Sequence, residues 1–393
     1  MPDTRGSLPR DAHEAPSPER RPSSPNEPRR DHARAAGAPP VPAASRRPLI
    51  TRRQALIAAG LATGAGIAVF SGSGSALVNL IDAARRPRPV TGSTFAFDTY
   101  CSFTVYDDDT ALAKLTAACA RYDALFNLYD EKSDIARINR SAGAPTVVDP
   151  ETAAVIARAL ELSARLDGLF DISIGAVSTL WNFDTKTRPS DEAIAAALPH
   201  VGWRGVHVDE RAATVTLDDP EAKLDLGGIA KGFVADRLCE LVRTETEASA
   251  AAISLGGNIA YVGGKPDGSL WATGIRDPNE PGGDATVGTA RTAGGTFVTS
   301  GLYERTFSEG NTTYWHILDP NTGRPVQTDV VSDTVFGPSS TAADALSTAL
   351  FVAGSSRGIE IVDDIDGAAA YFILADDSST ESARWQGLTD FEA

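Results

Sequence analysis

The sequence is poor in cysteine and methionine. Its 393 residues include three cysteines and one methionine, and no two cysteines form a C-x-x-C pair. An odd number of widely spaced cysteines argues strongly against a disulfide framework. Cys119 and Cys239 lie among apolar residues, so the cysteines are predicted to be buried, inert thiols.

Excess positive charge and long apolar runs are also lacking. The chain has 36 Lys and Arg against 52 Asp and Glu, for a formal net charge of −16. This balance argues against nucleic acid as the main partner. A multi-span membrane protein is excluded on composition, because spanning helices need about 20 consecutive apolar residues each. The 42% of hydrophobic residues is nevertheless sufficient for a sizeable core.

The charge is distributed unevenly along the chain. Residues 1–53 contain 11 Arg, no Lys, 6 acidic residues and 11 of the 24 prolines. Residues 1–50 are a Pro/Arg-rich tail with too little apolar surface to offset the cost of ordering, and are predicted to be disordered. The remaining chain is therefore more acidic than the overall figure indicates.

Residues 51–81 have the pattern of an export signal. Arg52-Arg53 precedes an apolar run to Phe70, and small residues follow as far as Ala76. Paired arginines in this position are typical of a twin-arginine signal. A cleaved signal and a retained membrane anchor through residues 54–81 both fit, and a surface helix fits less well. No cysteine stands near Ala76, which excludes a lipoprotein anchor. The chain is expected to be exported across the cytoplasmic membrane.

Strand-like and helix-like segments are mixed after residue 90 without a strict βαβ alternation. This order predicts an α+β fold with one catalytic domain over residues 90–393. Strands are expected at 95–106, 204–218 (as a hairpin), 222–226, 333–336 and 368–374, and also within the glycine-rich segment 250–304. Helices are expected at 110–127, from Asp149-Pro150 onward, 190–199, 229–243, 340–352 and 356–363, and a loop at 129–139.

A pair of glycines stands between a predicted strand and a predicted helix. Gly227-Gly228 allows close backbone approach, the helix N-terminus offers free N–H groups, and Lys231 adds a cation in the first turn. Such a turn suits a phosphate group, although the spacing is not that of a Walker A motif. A simple tight turn explains the same residues equally well.

Two further patterns suggest chemistry. Asp344 and Thr348 are four apart on one predicted helix face, and both are hard oxygen ligands of the kind that Mg²⁺ takes. His316 and Asp319 precede a Pro-Asn-Thr-Gly turn, and a neutral imidazole can accept a proton from an attacking hydroxyl. Each pattern also has a structural explanation, as a capping Asp and as a turn-bonded His.

The order of these motifs resembles the ApbE family of FAD:protein FMN transferases. The resemblance covers residues 95–354 and is specific as an ordered set. Its elements are Phe97-Asp98-Thr99, residues 129–139, Asp167-Gly168-Leu169-Phe170-Asp171 with Trp181-Asn182-Phe183, residues 225–232, Gly256-Gly257-Asn258, Thr299-Ser300-Gly301-Leu302-Tyr303, residues 316–323 and residues 343–349.

The resemblance implies a layered domain of mixed sheets with flanking helices. It also gives a role to each of the patterns described above. FAD would be the substrate, Mg²⁺ the cofactor, and an exported flavoprotein with a Ser/Thr flavinylation motif the acceptor, with AMP released. The implied metal ligands are Gly228 (through its carbonyl), Asp344 and Thr348. His316 would activate the acceptor hydroxyl and Asp319 would orient it. The implied FAD contacts are Phe97, Tyr129, Leu169, Phe170, Asp171, Asp225, Lys231 and Leu318.

The chain departs from the family pattern at three places. The family often has Met-Gly-Thr where this chain has Phe97-Asp98-Thr99. It also often has an Asp at the positions that Leu302 and Asn258 occupy here. A Phe can stack on a flavin ring, so flavin binding remains the expectation. Two other activities fit the same residues, namely an FAD pyrophosphatase that uses water in place of the acceptor, and a flavin-binding protein without catalysis.

Overall fold

The computed structural model describes residues 88–393 apart from 281, 282, 284 and 311. The predicted tail at 1–50 and the predicted signal at 51–81 lie outside the described residues. The strands are β1 Pro89–Ala96, β2 Thr99–Tyr106, β3 Thr146–Val147, β4 Val206–Asp209, β5 Thr214–Leu217, β6 Ala250–Leu255, β7 Asn258–Val262, β8 Trp271–Arg276, β9 Thr286–Thr292, β10 Gly295–Gly301, β11 Thr306–Glu309, β12 Thr312–Trp315, β13 Leu318–Asp319, β14 Arg324–Pro325, β15 Val330–Gly337, β16 Ala369–Leu374 and β17 Ser379–Glu381.

Nine α-helices are found among the described residues. They are α1 Ala111–Phe126, α2 Asp134–Asn139, α3 Pro150–Arg165, α4 Gly175–Ser178, α5 Asp191–Ala197, α6 Ala230–Glu245, α7 Ser340–Ala353, α8 Ser355–Asp363 and α9 Trp385–Thr389. None of these helices is both long and apolar enough to cross a membrane. The mixture of sheets and helices confirms the predicted α+β class.

An eight-stranded antiparallel sheet forms the centre of the described part. Its strand order is β1-β2-β6-β7-β10-β15-β16-β17. Because side chains alternate across a strand, the sheet has two apolar faces. Val298 belongs to a large core that includes residues of α6 and α7, whereas its neighbour Phe297 packs on the opposite face with Trp271 and Trp385. The sheet is thus covered on one side by helices and on the other by the β8–β9 hairpin and α9.

Two helix predictions are confirmed by their caps. The side chain of Asp149 accepts a hydrogen bond from the N–H of Glu151, with Pro150 at the start of α3. The side chain of Ser339 accepts from the N–H of Ala342 at the start of α7. Asp, Ser and a first-turn Pro are common at helix starts, because they satisfy or remove free N–H groups.

Three element predictions are wrong. Residues 95–106 form two strands, β1 and β2, joined by a turn at Phe97-Asp98 that has no glycine, proline or asparagine to mark it. Residues 129–139 contain the helix α2, which is capped by Ser133. Residues 222–226 form only an isolated bridge at Lys223, because the polar groups of the neighbouring Leu224 bond to the side chain of Asn139.

The three cysteines are buried and free, as predicted. Cys101 lies on β2, Cys119 on α1 and Cys239 on α6. Burial is the main cause of a raised pKa for the Cys239 thiol, to about 12. A thiol that stays protonated at neutral pH is a poor nucleophile, so Cys239 serves packing and not chemistry.

Candidate functional site

Helices α6 and α7 cross at their first turns, and each caps the other. The N–H of Gly232 in α6 donates to Asp344 Oδ2 of α7 at 2.8 Å. In return, Asp236 of α6 accepts hydrogen bonds from the N–H groups of Ser340 and Thr341, each at 2.9 Å. Free N–H groups at a helix start need such partners. The two carboxylates therefore fix the two helix starts against each other.

Glycine is required at the crossing point. A methyl group on Gly232 would lie 2.2 Å from the carbonyl oxygen of Ser340 and 2.7 Å from Cβ of Asp344. Both contacts are far shorter than van der Waals distance, and the first is to backbone that cannot rotate away. The approach of the two helices, and with it the position of Asp344, depends on a residue without a side chain.

The predicted metal ligands Gly228, Asp344 and Thr348 lie together at this crossing. A methyl group on Gly228 would lie 3.0 Å from Thr348 Oγ1 and 3.2 Å from the ring of Phe170, so the backbone of Gly228 faces the threonine hydroxyl closely. Thr348 Oγ1 also donates to the carbonyl of Asp344 at 3.3 Å. Asp344 is buried, and its cap to Gly232 uses Oδ2, which leaves Oδ1 for a ligand.

This donor set fits a hard divalent cation. Among the described residues there is no cluster of three or more His, Cys, Asp or Glu side chains that could hold a metal. One carboxylate, one hydroxyl and one backbone carbonyl are instead oxygen donors, which Mg²⁺ prefers alongside water and substrate phosphates. The absence of a side chain at Gly228 leaves free the space in front of Thr348 Oγ1 that a methyl group would crowd.

The Gly227-Gly228 turn is held by Asp225. Asp225 Oδ1 accepts from the N–H of Gly227 at 2.8 Å, and Oδ2 accepts from the hydroxyl of Ser178 at 2.6 Å. Lys231 Nζ lies 3.4 Å from the carbonyl oxygen of Gly227. The lysine thus lies over the turn at the start of α6, where its charge adds to that of the helix N-terminus.

His316 follows β12 directly, and its ring centroid lies 6.5 Å from that of Phe183. The register of the β11–β12 hairpin pairs Thr306 with Trp315, and the N–H of His316 donates to the carbonyl of Arg305 at 3.2 Å. The imidazole is exposed to solvent, yet enough protein surrounds it for desolvation to lower its pKa to about 4, with further lowering by Arg305 and Lys231. The imidazole is therefore neutral at pH 7 and able to accept a proton.

Asp319 serves the turn that follows it. Its Oδ1 accepts from the N–H of Asn321 at 2.9 Å and Oδ2 accepts from the hydroxyl of Thr322 at 3.3 Å. Such bonds are typical of an Asx turn. No hydrogen bond within the described residues joins Asp319 to His316, so its orienting role stays a prediction. The adjacent Leu318 is buried in an apolar cluster with Trp181.

The two aromatic residues predicted to contact FAD are placed differently. Phe97 is half-buried, and its N–H donates to Asp123 Oδ1 at 2.9 Å. The side chain of Tyr129 is 79% exposed. Desolvation by the surrounding protein is the main cause of a raised pKa for the Tyr129 hydroxyl. The charge of Asp225 raises this pKa further, whereas the charge of Arg305 lowers it. Tyr129 therefore stands near Asp225 and Arg305 with a free ring face.

Leu169, Phe170 and Asp171 are all buried. Asp171 Oδ1 accepts from the hydroxyl of Ser173 at 2.6 Å, and Oδ2 accepts from the N–H of Trp203 at 3.0 Å. Both carboxylate oxygens thus have internal partners, and a contact of Asp171 with FAD stays a prediction. Phe170 comes nearest to the site, because its ring lies against Gly228.

Two residues at or beneath the site were not expected from the sequence. Arg305 belongs to no motif, and only the hairpin register places it opposite His316. Asp333 lies within the buried strand β15. The sequence signal that could have identified it is an acidic residue among apolar neighbours. Its Oδ1 accepts from Ser347 at 2.6 Å, while Oδ2 has no partner within the described residues. Burial raises the pKa of Asp333 well above its usual range.

Comparison with known proteins agrees with the motif order. The sequence profile of the ApbE family matches residues 97–372. The FAD:protein FMN transferase of Treponema pallidum is 35% identical over 328 residues, which cover 78% of this chain and 89% of the relative. The FAD:protein FMN transferase of Escherichia coli is 30% identical and covers 65% of this chain and 74% of its own length.

Solved structures show the same fold. The ApbE protein of Thermotoga maritima has a TM-score of 0.69 and 32% identity, and the match covers 77% of this chain and 99% of that protein. The flavin transferase ApbE from Vibrio cholerae has a TM-score of 0.67 and 25% identity over the same shares of the two chains. On these matches in sequence and in structure, the chain belongs to the ApbE family.

Proposed function

We propose that this chain is an FAD:protein FMN transferase that acts on a Ser or Thr hydroxyl of an acceptor protein. The hydroxyl oxygen forms a bond to the FMN-side phosphorus of FAD, and the bond from that phosphorus to the bridging oxygen breaks. AMP leaves, and the acceptor carries FMN through a phosphoester. The proton of the hydroxyl passes to His316, which is neutral at pH 7, and then to solvent.

The observation that carries this proposal is the meeting of Gly228, Asp344 and Thr348 beside the turn that holds Lys231. These oxygens are proposed to hold Mg²⁺, which would supply charge neutralisation for the pyrophosphate. Lys231 is proposed to bind a phosphate oxygen at the start of α6. Its charge reaches the imidazole, because it contributes to the lowered pKa of His316. The charge of Lys231 therefore helps to keep the proton-accepting imidazole neutral.

The exposed ring of Tyr129 and the half-buried Phe97 are proposed to contact the flavin or the adenine. Planar heterocycles stack favourably on such rings. Asp225 is proposed to act through the turn, since both of its oxygens hold protein groups. Leu318 is buried in its apolar cluster and is proposed to form part of the wall of the FAD site.

We further propose that the acceptor is an exported flavoprotein and that transfer occurs beyond the cytoplasmic membrane. Support comes from the twin arginine and apolar run of residues 51–76. Fractionation of cells that produce the full chain tests this point. Recovery of all the protein from the cytoplasm, with Arg52-Arg53 replaceable by Lys without effect, would count against export.

The activity test uses the full chain with FAD, Mg²⁺ and an exported protein encoded beside it as acceptor. We expect covalent flavin fluorescence on the acceptor and release of AMP in equal amounts. Release of AMP with free FMN and an unlabelled acceptor would instead identify an FAD pyrophosphatase. Binding of FAD without AMP release would leave only a flavin-binding protein.

A further inference from the structure

Arg305 lies directly opposite His316 on the β11–β12 hairpin. The ladder pairs Thr306 with Trp315, and the bond from the N–H of His316 to the carbonyl of Arg305 extends it by one position. Residues directly opposite each other in an antiparallel pair project to the same face, with Cβ atoms about 4.5–5.5 Å apart. The guanidinium and the imidazole therefore emerge side by side on one face of the hairpin.

The guanidinium has one ionic partner within the described residues, the carboxylate of Asp98. Both side chains remain open to water, with 49% of Arg305 and 67% of Asp98 exposed. Exposed ion pairs contribute little to stability, because water solvates both charges and the side chains lose freedom. Such a pair can be opened at small cost when a stronger anion arrives.

The position of Asp98 is fixed by an unusual turn. Phe97 and Asp98 have φ values of +53° and +56° and join β1 to β2. Left-handed backbone at two consecutive positions suits Gly and Asn, whereas a Phe there is strained. The N–H of Phe97 is held by Asp123. The turn thus holds a carboxylate at a set place in front of Arg305, across from the hairpin that carries His316.

Positive charge converges on His316 from two elements. Lys231 of α6 and Arg305 of the hairpin both contribute to the lowered pKa of the imidazole, after desolvation. Arg305 also acts on the hydroxyl of Tyr129, where Asp225, Asp184 and Asp98 act with opposite sign. Two cations thus act on a neutral imidazole, in a domain that is otherwise acidic.

We propose that Arg305 binds the oxygens of the FMN-side phosphoryl group of FAD, and that Asp98 is the counter-ion which Arg305 exchanges for this substrate group. The inference rests on the proposed function, because it names one more residue that contacts the same substrate. A guanidinium can bind two phosphate oxygens at once, whereas Arg305 contacts Asp98 through one carboxylate oxygen, Oδ2. Asp98 thereby competes with the substrate for one side chain.

Three variants of the full chain test the exchange. We expect Arg305→Gln to weaken FAD binding by about 10-fold to 100-fold, as for the loss of a hydrogen bond to a charged group. Asp98→Asn keeps a residue that tolerates positive φ and removes the competitor, so FAD binding should tighten about 2-fold to 5-fold. In the double variant, Asp98→Asn should have no effect, because Arg305 is no longer present to be released.

The measurements separate the possible outcomes. Quenching of flavin fluorescence gives FAD affinity without turnover, and riboflavin serves as the ligand without phosphate. If Arg305 binds phosphate, Arg305→Gln weakens FAD binding and leaves riboflavin binding unchanged. Equal loss for both ligands, or no loss for either, would overturn the inference. The inference would also be overturned if Asp98→Asn tightened FAD binding as much in the Arg305→Gln background as in the unmutated chain.

A matched control lies at the end of β8. Arg276 pairs with Glu304 at 3.3 Å and is also 49% exposed, but it faces Tyr303 and not His316. Arg276→Gln should leave FAD affinity unchanged. Failure of the proposed function appears separately, as an unmutated chain that binds FAD and places no flavin on the acceptor. If the unmutated chain does not bind FAD at all, both proposals are wrong.

Discussion

The candidate site has two walls that are built by different means. The helix wall comprises Gly228, Gly232, Asp344 and Thr348, which lie at the crossing of α6 and α7. The hairpin wall comprises Phe97, Asp98, Arg305 and His316, which lie on the β1–β2 turn and the β11–β12 hairpin. Asp344 on the first wall is buried and caps a helix. Arg305 and His316 on the second wall are exposed.

The difference separates two kinds of functional residue. On the helix wall, one carboxylate oxygen of Asp344 maintains the fold and the other is free for a ligand, so stability and chemistry share a side chain. On the hairpin wall, side chains such as His316 contribute to the site without holding a buried contact. Substitutions on the helix wall should therefore reduce stability and activity together, and those of Arg305 and His316 on the hairpin wall should reduce activity alone.

The largest effect is expected for Asp344→Ala. Loss of the carboxylate removes both the cap of α6 and a proposed Mg²⁺ ligand. Transfer should fall by at least about 10³-fold, equivalent to roughly 4 kcal/mol of transition-state stabilisation. Stability should fall by about 0.5–2 kcal/mol from the lost cap. AMP release and thermal unfolding measure the two losses.

The reciprocal cap provides the control. Asp236→Ala removes the side chain that accepts from Ser340 and Thr341, and so damages the start of α7 in the same way. Its loss of stability should be similar, while transfer below the unfolding temperature stays within about 3-fold. Equal loss of activity in both variants would mean that Asp344 acts only as a cap.

A smaller loss is expected for His316→Ala. Removal of a general base costs about 10²-fold to 10⁴-fold, and we expect the lower part of this range. FAD affinity and the unfolding temperature should be unchanged, because the imidazole is exposed. Transfer rates at saturating FAD, together with FAD affinity, provide the measurement.

His200 is the matched control for this substitution. It is partly exposed and pairs with Asp219 at 2.7 Å, at the end of a helical segment that carries none of the proposed site residues. His200→Ala should leave transfer unchanged. If His316→Ala also leaves it unchanged, His316 is structural, and the hairpin wall has no part in proton transfer.

The smallest effect is expected for Asp333→Asn, beneath the site. Burial keeps the pKa of Asp333 high in the folded chain, whereas in the unfolded chain it is about 3.9. Above pH 4 the unfolded state loses a proton that the folded state keeps, so this carboxyl lowers stability as pH rises toward its folded pKa. The amide removes this penalty. The unfolding temperature at pH 7 should rise by roughly 2–4 °C for each kcal/mol recovered, and the gain should vanish near pH 4.

Asp329 is expected to show the opposite dependence of stability on pH. Burial works against ionisation there, but hydrogen bonds from Ser355 hold the pKa of Asp329 below its usual value. Its stabilising effect is present above the unfolded pKa and is lost as pH falls. Asp329→Asn should therefore lower the unfolding temperature at pH 7 and converge with the unmutated chain in acid. A gain for Asp329→Asn would contradict the hydrogen-bond argument, and a loss for Asp333→Asn would contradict the burial argument.

The sequence predicted the parts of the fold that local signals mark. The helices α3 and α7 have capping residues and periodic apolar positions, and both are found where expected. The α+β class and the ApbE family are confirmed. The Phe97-Asp98 turn and α2 were not foreseen. The turn begins with the strand-forming Phe97 and lacks glycine and asparagine, and the helix is too short to show a clear period. The export signal, the domain limits and the site roles stay predictions.

The sequence alone determined which chemical groups are available, since residue type fixes the oxygen ligands of Asp344 and Thr348 and the imidazole of His316. Their arrangement was decided by tertiary structure. The cap from Asp344 to Gly232 spans 112 residues, and the ion pair from Asp98 to Arg305 spans 207. Contacts at such separations leave no periodic trace in a sequence, because they depend on which surfaces pack together. The lowered pKa of His316 and the raised pKa of Asp333 follow from that packing.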